Sequence, residues 1–157
     1  MEIERKFIPP EVPSLAGFSS KKIEQAYIST SPTIRIRKSD DEYYLTVKGK
    51  GHMAREELNI PMKKEEYEKL LKKTEGRVIK KTRYIIPLEG SDGLNVELDI
   101  FEGDLKGLVL AEVEFPTKEA AESFVPPAWL GRDVTGDKRY HNSQMSKADY
   151  KLPGRPL

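Results

Sequence analysis

The sequence has no cysteine, which excludes disulfides, thiolate chemistry and zinc held on sulfur. Its two histidines, His52 and His141, lie far apart, which disfavours a histidine metal centre and leaves carboxylates as the ligands for any ion. Net charge is almost absent: 27 Lys and Arg against 26 Asp and Glu leave +1. That balance excludes a disordered polyelectrolyte and argues against bulk electrostatic binding of nucleic acid or an anionic membrane. No apolar run approaches a membrane span, and Met1-Glu2-Ile3-Glu4-Arg5-Lys6 has the wrong chemistry for a signal peptide. The expected setting is the cytoplasm, with neither nucleic acid nor membrane as a partner.

Charge itself is plentiful, at 34% of 157 residues, a length that suits one domain. With no overall field, any bound anion must be held by a local arrangement. Runs with period-two alternation or β-branched and aromatic enrichment predict strands at 2–8, 23–30, 33–38, 42–48, 54–60, 78–87, 94–101 and 108–115. Turn chemistry separates them, for example Ser31-Pro32, Gly49-Lys50-Gly51 and Gly90-Ser91-Asp92-Gly93. Eight short strands point to an antiparallel barrel or sandwich. Tyr67, Leu70 and Leu71 predict an amphipathic helix over 63–75, stopped by Gly76. Thr117 predicts the cap of a second helix to about 124, and Thr135 one further turn around 136–139. Residues 1–145 form the expected domain and 146–157 a loose tail.

Side chains two apart on a strand share a face. Glu2, Glu4 and Lys6 oppose Ile3 and Phe7, and Arg35 and Arg37 oppose Ile34 and Ile36. Thr46 and Lys48, Arg55 and Glu57, Glu97 and Asp99, and Glu112 and Glu114 repeat the spacing. Lys81 and Arg83 do so too, although Ile79 and Ile85 share their face. An ordinary sheet with a solvated outer face has the same alternation. Two details favour another arrangement. Signs are segregated within strands, whereas a surface suited to solubility mixes them. The pattern also recurs on nearly every strand. Turned inward, these faces give a barrel with a wet, charged lumen and apolar outer walls that need covering by helices, loops or a second copy. An outer-membrane barrel is excluded by the short strands and by Arg5, Glu24, Glu56 and Lys80 on the outer faces. Arginines and lysines suit phosphate oxygens, and clustered carboxylates suit hard divalent cations. Phosphoryl transfer requires little more.

Glu2-Ile3-Glu4-Arg5-Lys6 resembles the ExExK signature of the CYTH superfamily, the triphosphate tunnel metalloenzymes. The resemblance continues in order through Arg35-Ile36-Arg37, Leu45-Thr46-Val47-Lys48, Arg55-Glu56-Glu57, Lys81-Thr82-Arg83-Tyr84, Glu97-Leu98-Asp99, Glu112-Val113-Glu114-Phe115 and Val134 to Tyr140. It implies a mainly β fold: a closed eight-stranded antiparallel barrel, or tunnel, with covering helices and a short plug helix. It also implies a hydrolase acting on phosphoanhydride bonds, most like the short bacterial inorganic tripolyphosphatases, with Mg²⁺ or Mn²⁺ as cofactor, two ions per site. Carried onto this chain, Glu2, Glu4 and Glu114 become metal ligands with Glu112 and Asp99 as helpers, and Glu2, Glu4 and Lys6 the catalytic set. Lys6, Arg35, Arg37, Lys48, Arg55, Lys81 and Arg83 grip phosphate, and Lys138 and Arg139 reach in from the plug. Tyr27 is a candidate gate or an ordinary packed tyrosine, and Glu57 and Glu97 support neighbouring bases. The expected partner is tripolyphosphate or a nucleoside triphosphate. The alternatives are thiamine triphosphate hydrolysis and a class IV adenylyl cyclase, whose adenine pocket is not legible. Further expectations are Arg5 and Glu56 as outer charges, Trp129 as a packing anchor and His52 in an exposed turn.

Overall fold

The computed structural model describes residues 1–51, 53–91 and 93–153, so the expectations on His52, Asp92 and the last four residues lie outside it. Its strands are β1 (Glu2–Ile8), β2 (Ser19–Thr30), β3 (Thr33–Ser39), β4 (Glu42–Lys48), β5 (Ala54–Arg55), β6 (Glu57–Met62), β7 (Glu75–Pro87), β8 (Asn95–Phe101), β9 (Val109–Glu114) and β10 (Arg132–Asp133). Its helices are α1 (Lys64–Leu71), α2 (Lys118–Ser123) and α3 (Asn142–Met145). No helix among the described residues is long and apolar enough to cross a membrane.

All strand pairings are antiparallel, in the order β10-β1-β9-β8-β7-β2-β3-β4-β6. The ring is completed by β5, which pairs with β1 through Glu2↔Arg55 and Ile3↔Ala54, and by the Glu4 amide donating to the Met53 carbonyl at 2.9 Å. The expected barrel is therefore present. It has ten strands by count because the run at 54–60 breaks at the exposed Glu56 into β5 and β6, which hold different neighbours, and because β10 adds two residues to β1.

Apolar side chains face away from the bore. Ile3, Phe7, Val96, Leu98, Val113 and Phe115 form one cluster, covered by Ala121 of α2 and Leu130, with Trp129 packed against it. Arg5 shares this outer face and ties it down, donating to the Ala121 and Phe124 carbonyls at 3.0 and 2.8 Å and pairing with Asp133 at 2.9 Å. Tyr67 of α1 packs on Ala26 and Ile36 of the opposite wall. Val47, Leu58 and Ile60 remain exposed on the outer wall.

The helix expected to 75 ends at Leu71, because β7 already begins at Glu75. Gly76 is not its stop. It lies in β7 with φ +71°, where a Cβ would collide with the Ser146 carbonyl. The loose tail likewise does not begin at 146: Arg77 N–H donates to the Ser146 carbonyl at 2.6 Å, and Tyr150 Oη donates to the Arg139 carbonyl at 2.7 Å.

Candidate active site

Period-two geometry aims the alternate residues of each strand into the bore. One cavity is lined by Glu2, Glu4 and Lys6 of β1, Arg35 and Arg37 of β3, Lys48 of β4, Arg55 and Glu57 beside the break, Arg83 of β7, Glu97 of β8 and Glu112 of β9. Tyr27 also lines it, while its ring belongs to the apolar cluster of Ile79, Phe101 and Leu105, so it is both wall and packing. His141, Asn142 and Ser143 close one end. A wider vestibule shares Arg35, Arg37, Glu57, Arg83 and Glu97 and adds Lys21, Tyr44 and Asn59.

On the β7–β8 wall the charges satisfy one another. Arg83 donates from Nε and Nη2 to the two Asp99 oxygens at 2.8 and 2.9 Å, and from Nη1 to Glu97 at 3.0 Å. Lys81 Nζ lies 2.8 Å from Asp99 Oδ2. Burial would raise the Asp99 carboxyl, but Arg83 and Lys81 together hold it below its ordinary value. Lys6 Nζ donates to the Tyr140 carbonyl at 2.9 Å and stands 3.5 Å from Glu112. Burial likewise opposes ionisation of Glu112, and Lys6 and Arg83 outweigh it, so that carboxylate stays charged.

The other wall is not balanced. Among the described residues neither Arg35 nor Arg37 forms an ion pair. Arg35 Nη2 donates to Thr46 Oγ1 at 3.2 Å, and its Nε is buried without an acceptor. Arg37 Nε donates to Gln25 Oε1 at 2.9 Å. Burial first, then repulsion from Arg35 and Arg83, pulls the Arg37 guanidinium down to about 9, so it remains charged at neutral pH but lacks an anion. Beside them the carboxylates crowd. Burial, with Glu112 and Glu2 nearby, pushes Glu4 up to about 8. Burial and a hydrogen bond with Glu57 push Glu2 up to about 7, against the opposing pull of Lys48 at 3.1 Å. For Glu57 burial is outweighed by hydrogen bonds from Glu2 and Asn59, and it falls to about 2. Burial, then Glu97 and Glu57, raises Glu114 at the rim.

The structure therefore separates residues that the charge pattern treated alike. Asp99 is fully buried outside the cavity lining, with both oxygens engaged by Arg83 and Lys81. Lys81 is 1% exposed and lies outside the cavity lining, held by Asp99 and by Asn142 Oδ1 at 3.2 Å. Lys138 and Arg139 do not reach in: both are exposed, and Arg139 is folded onto Asp137 at 2.7 Å. Glu114 is exposed at the rim and outside the lining. No group of three or more Asp, Glu or His side chains among the described residues stands in ligating geometry. Two amides carry no charge and escaped the sequence reading: Asn142, which lines the cavity, and Gln25, fully buried beside Arg37. Gln25 had one signal, a polar residue in step with Ile23 and Tyr27 on a strand face.

The CYTH domain family matches residues 1–149. A protein named inorganic triphosphatase from Nitrosomonas europaea is 40% identical over 148 residues, covering 92% of this chain and 96% of its own. A second protein of that name, from Acetivibrio thermocellus, is 38% identical with 96% of each chain covered. The crystal structure of the inorganic triphosphatase NE1496 superposes with a TM-score of 0.70 at 38% identity, over 98% of this chain and 97% of that one.

Proposed function

This chain belongs to the CYTH family, and on that premise we propose that it is a divalent-metal-dependent triphosphatase that splits a linear triphosphate into pyrophosphate and phosphate inside its barrel. The observation that carries the reading is one cavity with two unsatisfied faces: Arg35 and Arg37 without anions, and Glu2 and Glu4 crowded into retaining protons. A bound triphosphate supplies anion to the first face, and a cation relieves the second.

The donor set fits a hard divalent ion such as Mg²⁺ or Mn²⁺: it is all carboxylate oxygen, with no sulfur in the chain. Glu2 and Glu4 would hold it, with Glu114 at the rim and Glu112 beside them. When bound, such an ion neutralises phosphate oxygens and favours deprotonation of water. Arg35, Arg37, Lys48 and Arg55 bind the phosphate oxygens and fix the chain in line. Water oxygen adds to a terminal phosphorus, the bridging P–O bond breaks toward the pyrophosphate, and the proton from water passes to a cavity carboxylate that does not hold the cation. The basic wall stabilises the charge gathering on the leaving group.

The names of the relatives support inorganic triphosphate as substrate. The test supplies tripolyphosphate, ATP and thiamine triphosphate with Mg²⁺ or Mn²⁺ and measures released phosphate. Release from tripolyphosphate is expected. No phosphate from any of the three would overturn the reading, and cyclic nucleotide from ATP would transfer it to a cyclase.

A further inference from the structure

We propose that Gln25 and Asn142 are positioning residues for Arg37, and that through them the docked C-terminal segment sets the aim of a phosphate-binding guanidinium. The inference rests on the reading that Arg37 binds phosphate.

Among the described residues Arg37 has no carboxylate partner, so burial alone does not define where its fork points. Its Nε–H is held by Gln25 Oε1 at 2.9 Å. Gln25 is fully buried, and its Nε2 donates to Asn142 Oδ1 at 3.1 Å. The same oxygen accepts from Lys81 Nζ at 3.2 Å. Arginine and lysine can only donate, so cations at both ends fix the orientation of both amides. The Gln25 oxygen must face Arg37 and the Asn142 oxygen must face Lys81, leaving the Gln25 amino group to join them. Lys81 in turn is anchored on Asp99 at 2.8 Å. The line therefore runs from the rigid wall of the bore, across α3, to the uncompensated one.

Asn142 sits where it does because the residues after it are strapped outside the bore. Arg77 N–H donates to the Ser146 carbonyl, and Arg77 Nη2 donates to the Ala148 and Tyr150 carbonyls at 3.3 and 3.1 Å. Gly76 leaves room for that approach. Removing a hydrogen bond that aims a binding group costs rate through misplacement, even where the group itself stays.

The test measures kcat/KM for tripolyphosphate and the thermal midpoint in wild type, Gln25→Leu and Asn142→Leu, then repeats the leucine changes in an Arg37→Lys background. Lysine keeps the charge but has no Nε–H for Gln25. Gln25→Leu and Asn142→Leu are each expected to lower kcat/KM about tenfold or more. On Arg37→Lys the leucine changes are expected to cost less than about twofold, because residues acting through one group are not additive. If a leucine variant does not fold, Gln25→Asn carries the same comparison, since it keeps the amide and shortens its reach. Equal losses in both backgrounds, or full activity in the single variants, would overturn the positioning role. A wild type that hydrolyses no tripolyphosphate would overturn the proposed function instead.

Discussion

The two walls of the bore carry similar numbers of charges and use them differently. Along β7 and β8, Lys81, Arg83, Glu97 and Asp99 close on one another at 2.8–3.0 Å. Along β1 and β3, Glu2 and Glu4 crowd on one side while Arg35 and Arg37 stand without counter-ions on the other. Removing one partner from a buried pair leaves the other exposed to its full desolvation cost. An isolated buried cation carries that cost already and loses it when an anion arrives. On the proposed function, the contrast makes β7–β8 the scaffold and β1–β3 the face that takes the ligand.

The largest expected effect breaks the scaffold. Asp99→Ala strands Lys81 and Arg83 and should cost about 3–5 kcal/mol of stability in chemical denaturation. Arg37→Ala inverts that outcome. It should lower kcat/KM for tripolyphosphate by about a hundredfold to a thousandfold, while its thermal midpoint holds or rises. A midpoint that collapses in Arg37→Ala, or holds in Asp99→Ala, would erase the distinction between the walls.

Acidity sharpens it further. Glu4 lies near 8 and Glu2 near 7 in the folded chain, above the ordinary carboxylate value. Folded protein then keeps protons that unfolded chain has released, so in a chelating buffer the stability these two carboxyls contribute should fall as pH rises toward 8. Mg²⁺ affinity should rise over the same window, because the ion competes with those protons. Thermal midpoints across pH, with and without Mg²⁺, should show both trends, and Glu4→Gln should flatten them. The smallest effect lies outside both walls. Lys138→Ala and Arg139→Ala should leave the thermal midpoint and turnover nearly unchanged.

The strand runs were legible because one face of each is charged and the other apolar, most of the apolar faces being packed, which imposes a period of two on the sequence. The break at Glu56 was not, since both β5 and β6 keep the same alternation across it. Gly76 looked like a helix stop because its real constraint, the Ser146 carbonyl, is supplied by residues seventy positions away. Asp99 and Glu4 carry the same signature in sequence. What distinguishes them is register: Arg83 pairs with Asp99 across β7 and β8, whereas Glu4 faces Glu114 across β1 and β9. Alternation reveals which side chains share a face, and only pairing reveals which of them neutralise each other. Gln25 and Asn142 bear no sign, so a search for charge passed over them.

The ring is fastened by two residues of β5 on β1, and one of those two pairings is Glu2 with Arg55. A clasp that short is the place where such a cylinder first comes undone, since local openings begin where few hydrogen bonds must break together. Its halves are an acid and a base that face the same interior. Any occupant that engages both rivets the seam, so amide hydrogen exchange around residues 53–55 should slow more than elsewhere on loading, and the molecule should become a tighter hoop when filled than when empty.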